Sequence, residues 1–219
     1  VLYGTSSADW NLVAYSDEAG AIPYTLQYIG LGLMLDDRGV TSLQTSASFG
    51  NFDHASLSPR IKPFVNEKRT LAQASCIVRE KNQYRIFFSD NYALYVTMAG
   101  QKVMGMMPIL LDDEVTCIWS GEFSDGSERI FFGSTDGVVY EMDAGTSFDG
   151  EEIDTLLNFV FHHSGSPQMN KRYRSMNLEV SGSGYAEIDF GYSLGYQSDD
   201  IPAPETVSGA TILTAGTWD

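Results

Sequence analysis

The stretch RIFFSDNYALYVTMAG at residues 85–100 returns as RIFFGSTDGVVYEMDAG at residues 129–145, and this repetition limits the fold more than any other feature of the chain. Arg85 matches Arg129 and Gly100 matches Gly145, an offset of 44 to 45 residues, while Cys76 and Cys117 upstream stand 41 apart. That period is the length of one four-stranded propeller blade. Each copy reads strand, polar hairpin, strand. A weaker third copy, YIGLGLMLDDRGVTSLQTSASFG, covers residues 28–50. Blades recur because one alone cannot bury both of its faces, whereas stacked blades can. A β-sandwich with coincidental spacing is the alternative.

The rest of the chain agrees with an all-β fold. Apolar, β-branched and aromatic residues come in runs of four to eight, and no segment keeps a 3.6-residue period for three turns. The predicted strands are Leu12 to Tyr15, Leu26 to Leu35, Val40 to Gln44, Ala74 to Arg79, Tyr84 to Ser89, Leu94 to Met98, Val115 to Ser120, Arg129 to Gly133 and Val138 to Asp143. Between them, DRG at Asp37 to Gly39, SDG at Ser124 to Gly126 and TDG at Thr135 to Gly137 put glycine where a hairpin needs positive φ. Residues 1–150 are expected to supply about three blades, whereas a closed propeller needs at least four. The chain opens without Met and ends on ILTAGTWD, so a segment of a longer polypeptide is expected. Residues 151–198 read as a small antiparallel β-region. In it Met176, Leu178 and Val180 alternate against Ala186, Ile188 and Phe190 across SGSG. Residues 199–219, with Pro202 and Pro204, read as an extended connector or tail.

Thirteen basic and 29 acidic residues give a formal charge of −16, whose field repels phosphates and anionic lipid. Direct gripping of nucleic acid is therefore not expected. An acidic wall past which a polyanion slides, and plain solubility, both fit this charge. No apolar run reaches the roughly 18 residues of a membrane span. The two cysteines are too few for a zinc site or a disulfide framework, and both read as small core residues.

The search for chemistry is largely negative. There is no GxSxG elbow, P-loop or HExxH, and no cofactor is implied. His162 and His163 would point to opposite faces of a strand, which disfavours a shared metal, and His54 is the third histidine. Lys171, Arg172 and Arg174 gather positive charge that could hold a phosphate or a partner's carboxylates; a solvated turn is the plainer reading. Asp112, Asp113 and Glu114 form one acidic loop, and paired carboxylates of this kind could work on a sugar. Solvated loops account for them more simply. Asn91 and Asp136 lie in the hairpins that differ between the repeats, where contacts with partners are expected. The adjacent pairs Phe87, Phe88 and Phe131, Phe132 must each split between two faces, which suits packing between stacked sheets and not a ligand platform.

Several pieces carry a family resemblance: YGTSSADWNLVAYSDEAGAIPYTLQYIG, DRGVTSL from Asp37 to Leu43, FFGSTDGVVYEMDAGTSFDG from Phe131 to Gly150, and the Ser166, Pro167, Lys171 element. Together, over about residues 1–195, the chain resembles the β-propeller structural proteins of tailed bacteriophages, such as tail nozzle, hub or head-to-tail connector proteins. The resemblance implies a virion protein without catalysis. Several copies would form a ring that docks neighbouring tail proteins while genome DNA passes along its axis. A basic lining would hold that DNA through counterion release, and an acidic subunit would not. A propeller-type polysaccharide-binding or depolymerising module is the alternative.

Overall fold

The structure is a computed structural model that describes residues 2–12, 20–44, 56–166, 168–169, 171–172, 174–175, 177, 179, 186–192 and 211–213. It divides into two compact units, residues 1–154 and 155–219. After a short pair, β1 (Leu2–Tyr3) and β2 (Asn11–Leu12), the first unit contains three antiparallel meanders. The first comprises β3 (Gln27–Tyr28), β4 (Gly32–Asp36) and β5 (Gly39–Ser42). The second has four strands: β6 (Ala72–Val78), β7 (Gln83–Phe88), β8 (Tyr92–Ala99) and β9 (Lys102–Leu110). The third comprises β10 (Cys117–Glu122), β11 (Glu128–Gly133) and β12 (Val139–Met142). Strands dominate, so the fold is all-β in class. The described residues close no propeller ring, and one of the three sheets carries four strands.

The middle sheet is covered on both faces, and the period-2 pattern of β7 explains how. Tyr84, Ile86 and Phe88 join Leu94 and Val96 in a core with Leu33, Leu35 and Val40 of the first sheet. Phe87, one residue out of phase, faces a second core with Cys76, Tyr95, Ile130 and Met142, and Phe132 packs against it from the third sheet. Phe87 and Phe88 therefore sit on opposite faces, both fully buried, as expected. Burying each contributes about 2 to 3 kcal/mol.

Register shows that the sheets are stacked in the same sense. Ser75 pairs with Ile86 and Ser120 with Ile130; Ala74 pairs with Phe87 and Trp119 with Phe131. The Ile86 face of the second sheet meets the first sheet, and the Ile130 face of the third sheet meets the second. The matching of Cys76 with Cys117 is corrected by this register. Cys76 pairs with Arg85, but it is Gly121 that pairs with Arg129. The letters also align Tyr95 with Tyr140, but Tyr140 lies opposite Phe132 and so corresponds to Tyr92, because the β11–β12 hairpin is longer than the β7–β8 hairpin. Cys117 is also exposed, not a core residue.

Other differences have local causes. Residues 26–35 do not form one strand: Gly30 takes φ of 68° and turns the chain between β3 and β4. Strand β9 was not anticipated, since Gly105 and Pro108 break its pattern and much of it is exposed at the sheet edge. Helix α1 (Lys62–Lys68) was missed because seven residues make too few turns to show a period, and Val65 is its one buried residue. Its Phe64 packs edge-on to Phe88 at 6.0 Å and Tyr92 at 5.9 Å, closing the end of the first core.

The DRG hairpin is held from within. Asp36 is buried and pairs with the Arg38 guanidinium, while it accepts from the Arg38 N–H at 2.8 Å and the Thr41 hydroxyl at 3.0 Å. Gly39 has φ of 126°, and a Cβ there would lie 2.3 Å from Ser58 Oγ, so only glycine fits.

In the second unit β13 (Ala186–Ile188) pairs antiparallel with β14 (Thr211–Leu213), which lies in the stretch expected as a connector. Met176, Leu178 and Val180, the other arm of the expected hairpin, lie outside the described residues, as do Pro202 and Pro204. Among the described residues no helix is long and apolar enough to cross a membrane.

Candidate functional site

The first strands of the three sheets run side by side and leave an open groove. Gln27, Gln73, Ser75, Thr116 and Cys117 line it. Amide side chains link the sheets here. Gln27 Nε2 donates to the Ser75 carbonyl at 3.0 Å, and Gln73 Nε2 donates to the Val115 carbonyl at 2.8 Å and to Glu114 at 2.9 Å. The described lining carries no acidic, basic or histidine side chain. Ile22, Pro23, Leu26 and Ile118 share the lining, so its surface is mixed polar and apolar.

Four of the sequence-predicted residues come together in the loops around the β7–β8 and β11–β12 hairpins. Asn91, at φ of 65°, donates from Nδ2 to the Asp112 carbonyl at 2.7 Å, and its own carbonyl accepts from Leu111 N–H at 2.9 Å. Burial, with the nearby charges of Asp136 and Asp112, raises the Asp113 carboxyl above its ordinary value. Asp136 moves the other way, lowered by the Ser134 hydroxyl and by the Val138 N–H that it accepts at 3.2 Å. Burial and the charges of Asp113 and Asp136 push the Tyr140 phenol up to about 12. Glu114 leaves this group and turns to Gln73. Among the described residues no cluster of acidic, histidine and cysteine side chains could hold a metal ion.

The basic residues lie in the other unit. Lys171, Arg172 and Arg174 are exposed, and Lys171 Nζ donates to the Ser166 carbonyl at 2.5 Å within its own turn. The histidine reading is corrected: the His162 and His163 rings stack 5.6 Å apart at 15°, because no strand forms there to alternate them. His54 and Pro167 lie outside the described residues.

The residue that sequence reasoning passed over is Arg85. It is 1% exposed, lies over the Tyr95 ring at 4.0 Å, and donates to Gln83 Oε1 at 2.7 Å and to Asp143 Oδ2 at 2.6 Å. Lys81 reaches the same carboxylate at 2.7 Å. Burial raises the Asp143 carboxyl, and the hydrogen bonds from Arg85 and Lys81 outweigh it, holding the group below its ordinary value. A buried cation bridging the second and third sheets fixes their relative position. The sequence offers only parity as a signal: Arg85 shares a strand face with Phe87, which marks it for burial against a counter-charge wherever another sheet covers that face.

No protein-family model, curated protein or solved structure matches this chain.

Proposed function

We propose that the chain is a structural protein of a bacteriophage tail or head-to-tail connector. Its sheets act as propeller-type blades in a ring of copies around an axial channel. Neighbouring tail proteins dock on the ring, and genome DNA passes through it without specific binding. The observation that carries this reading is the stacking of three repeated meanders in one sense, with the last left open. In the second sheet the face of Phe87 is covered by the third sheet, whereas in the third sheet the equivalent face exposes Trp119, 54% accessible, and Arg129. Such a stack is built to continue into further protein. The uncharged groove along the first strands and the charge of −16 support a lining that does not retain a polyanion. Cryo-electron microscopy of particles tests it. Several symmetric copies around an axial channel are expected, and a free monomer outside any particle overturns the reading.

One observation favours a second reading, a propeller-type polysaccharide-binding or depolymerising module. Asp112 and Asp136 are brought within electrostatic reach of Asp113 beside the two hairpins, and neighbouring carboxylates can act as acid and base on a sugar. Cleavage of host polysaccharide that is lost in Asp113→Asn would select this reading over the first.

A further inference from the structure

We infer that the open edge of β12 receives a fourth strand from a second copy of this chain, and that residues 153–161 supply it. The internal repeat shows what such an edge takes. In the second sheet β8 is flanked on its far side by β9, nine residues long, and the third sheet repeats the order of the first three strands without a fourth. Among the described residues, no strand pairs with the far side of β12.

That edge is able to pair. The Ser134 N–H donates to the Val138 carbonyl at 3.0 Å, so Val138 and, two residues on, Tyr140 direct their peptide groups to β11. Val139 and Glu141 therefore present their N–H and C=O groups outward. Val139 is 70% exposed. The edge of β9 is blunted by Pro108 and by the bulge that Met104 makes opposite Thr97 and Met98, and β12 has neither device.

The donor is as specific. Residues 153–161, IDTLLNFVF, match β9 in length and form no strand or helix. Leu156, Leu157, Phe159 and Val160 are 72% to 88% exposed. In an extended strand, Ile153, Leu157 and Phe159 fall on one face, with Leu156 and Val160 on the other. This is the pattern of a strand covered on both sides. Exposed apolar strands and unpaired edges are features that folded proteins suppress unless a partner uses them. Donor and acceptor are different surfaces, so the contact runs head to tail and can close a ring. The proposal rests on the oligomeric part of the reading above, and the two fail separately.

The test measures the mass of the 219-residue chain by size exclusion with light scattering. Wild type is expected at multiples of 24.1 kDa. A Leu157→Asp, Phe159→Asp double variant lacks the donor, and Val139→Pro lacks an outward N–H at the acceptor edge; each is expected to run as a monomer. Mixing the two gives a one-to-one mixed dimer that grows no further, because one retains only the edge and the other only the strand. If wild type is oligomeric and both variants keep its mass, strand addition is overturned while a ring of copies stands. A monomeric wild type whose Val139 and Glu141 amides are protected from exchange shows pairing within one chain, and also overturns it. Should a variant fail to fold, wild-type exchange decides: protection at those amides that disappears on dilution supports the second copy, and its absence at high concentration refutes it.

Discussion

Arg85–Phe88 and Arg129–Phe132 share their letters and their place in the second strand of a meander, yet live in different surroundings. Arg85 is sealed between two sheets, over Tyr95 and against Asp143. Arg129 is exposed; it lies over the Phe123 ring at 5.0 Å and meets Asp125 at 3.3 Å. Phe87 is fully buried, whereas Phe131 is half-buried, with the exposed Trp119 stacked on it at 6.4 Å. The repeat specifies a sheet, and the next sheet in the stack decides what its outward face becomes. At the position of Trp119 the second sheet has Ala74, small enough for the third sheet to approach.

The widest gap is expected between the two phenylalanines. Phe87→Ala should cost about 4 kcal/mol in urea unfolding, and Phe131→Ala about 1 kcal/mol, since one leaves a cavity and the other a surface. Equal losses would mean that the third sheet's outer face is covered in solution. Arg85→Ala should cost about 3 kcal/mol, because the buried side chain packed on Tyr95 and its pair with Asp143 are lost together, and Arg129→Ala less than about 0.5 kcal/mol.

Acid sharpens that second pair. The Asp143 carboxyl is lowered in the folded state, so its contribution is fully present above its unfolded value of about 3.9 and fades as pH falls toward the folded one. The gap between wild type and Arg85→Ala should therefore narrow below about pH 4, while Arg129→Ala tracks wild type. A gap that stays constant down to pH 2 would show that Arg85 acts through packing alone. The smallest effect leaves stability untouched. Cys117 should react with a thiol reagent in the folded protein, and Cys76, whose thiol burial pushes up to about 12, should react only on unfolding.

The all-β class, the three turns at Gly39, Gly126 and Gly137, and the splitting of Phe87 from Phe88 were legible in the sequence. Each depends on one local rule, a two-residue period or a positive φ, all three glycines having φ between 80° and 126°. Strand β9 and helix α1 were not legible, because edge exposure and short length erase periodicity. Nor was the candidate loop cluster fully so. The acidic loop of Asp112 and Asp113 was singled out apart from Asn91 and Asp136, and only the fold brings the two sets together while turning Glu114 away. The letters of the two strong repeats were enough to specify an antiparallel sheet with one phenylalanine of each pair for each face. Tertiary structure decided which copy's arginine is buried, which cysteine is hidden and which sheet edge is left open. Those outcomes depend on a neighbour in the stack, and the pattern within a strand carries no information about whether that neighbour is there.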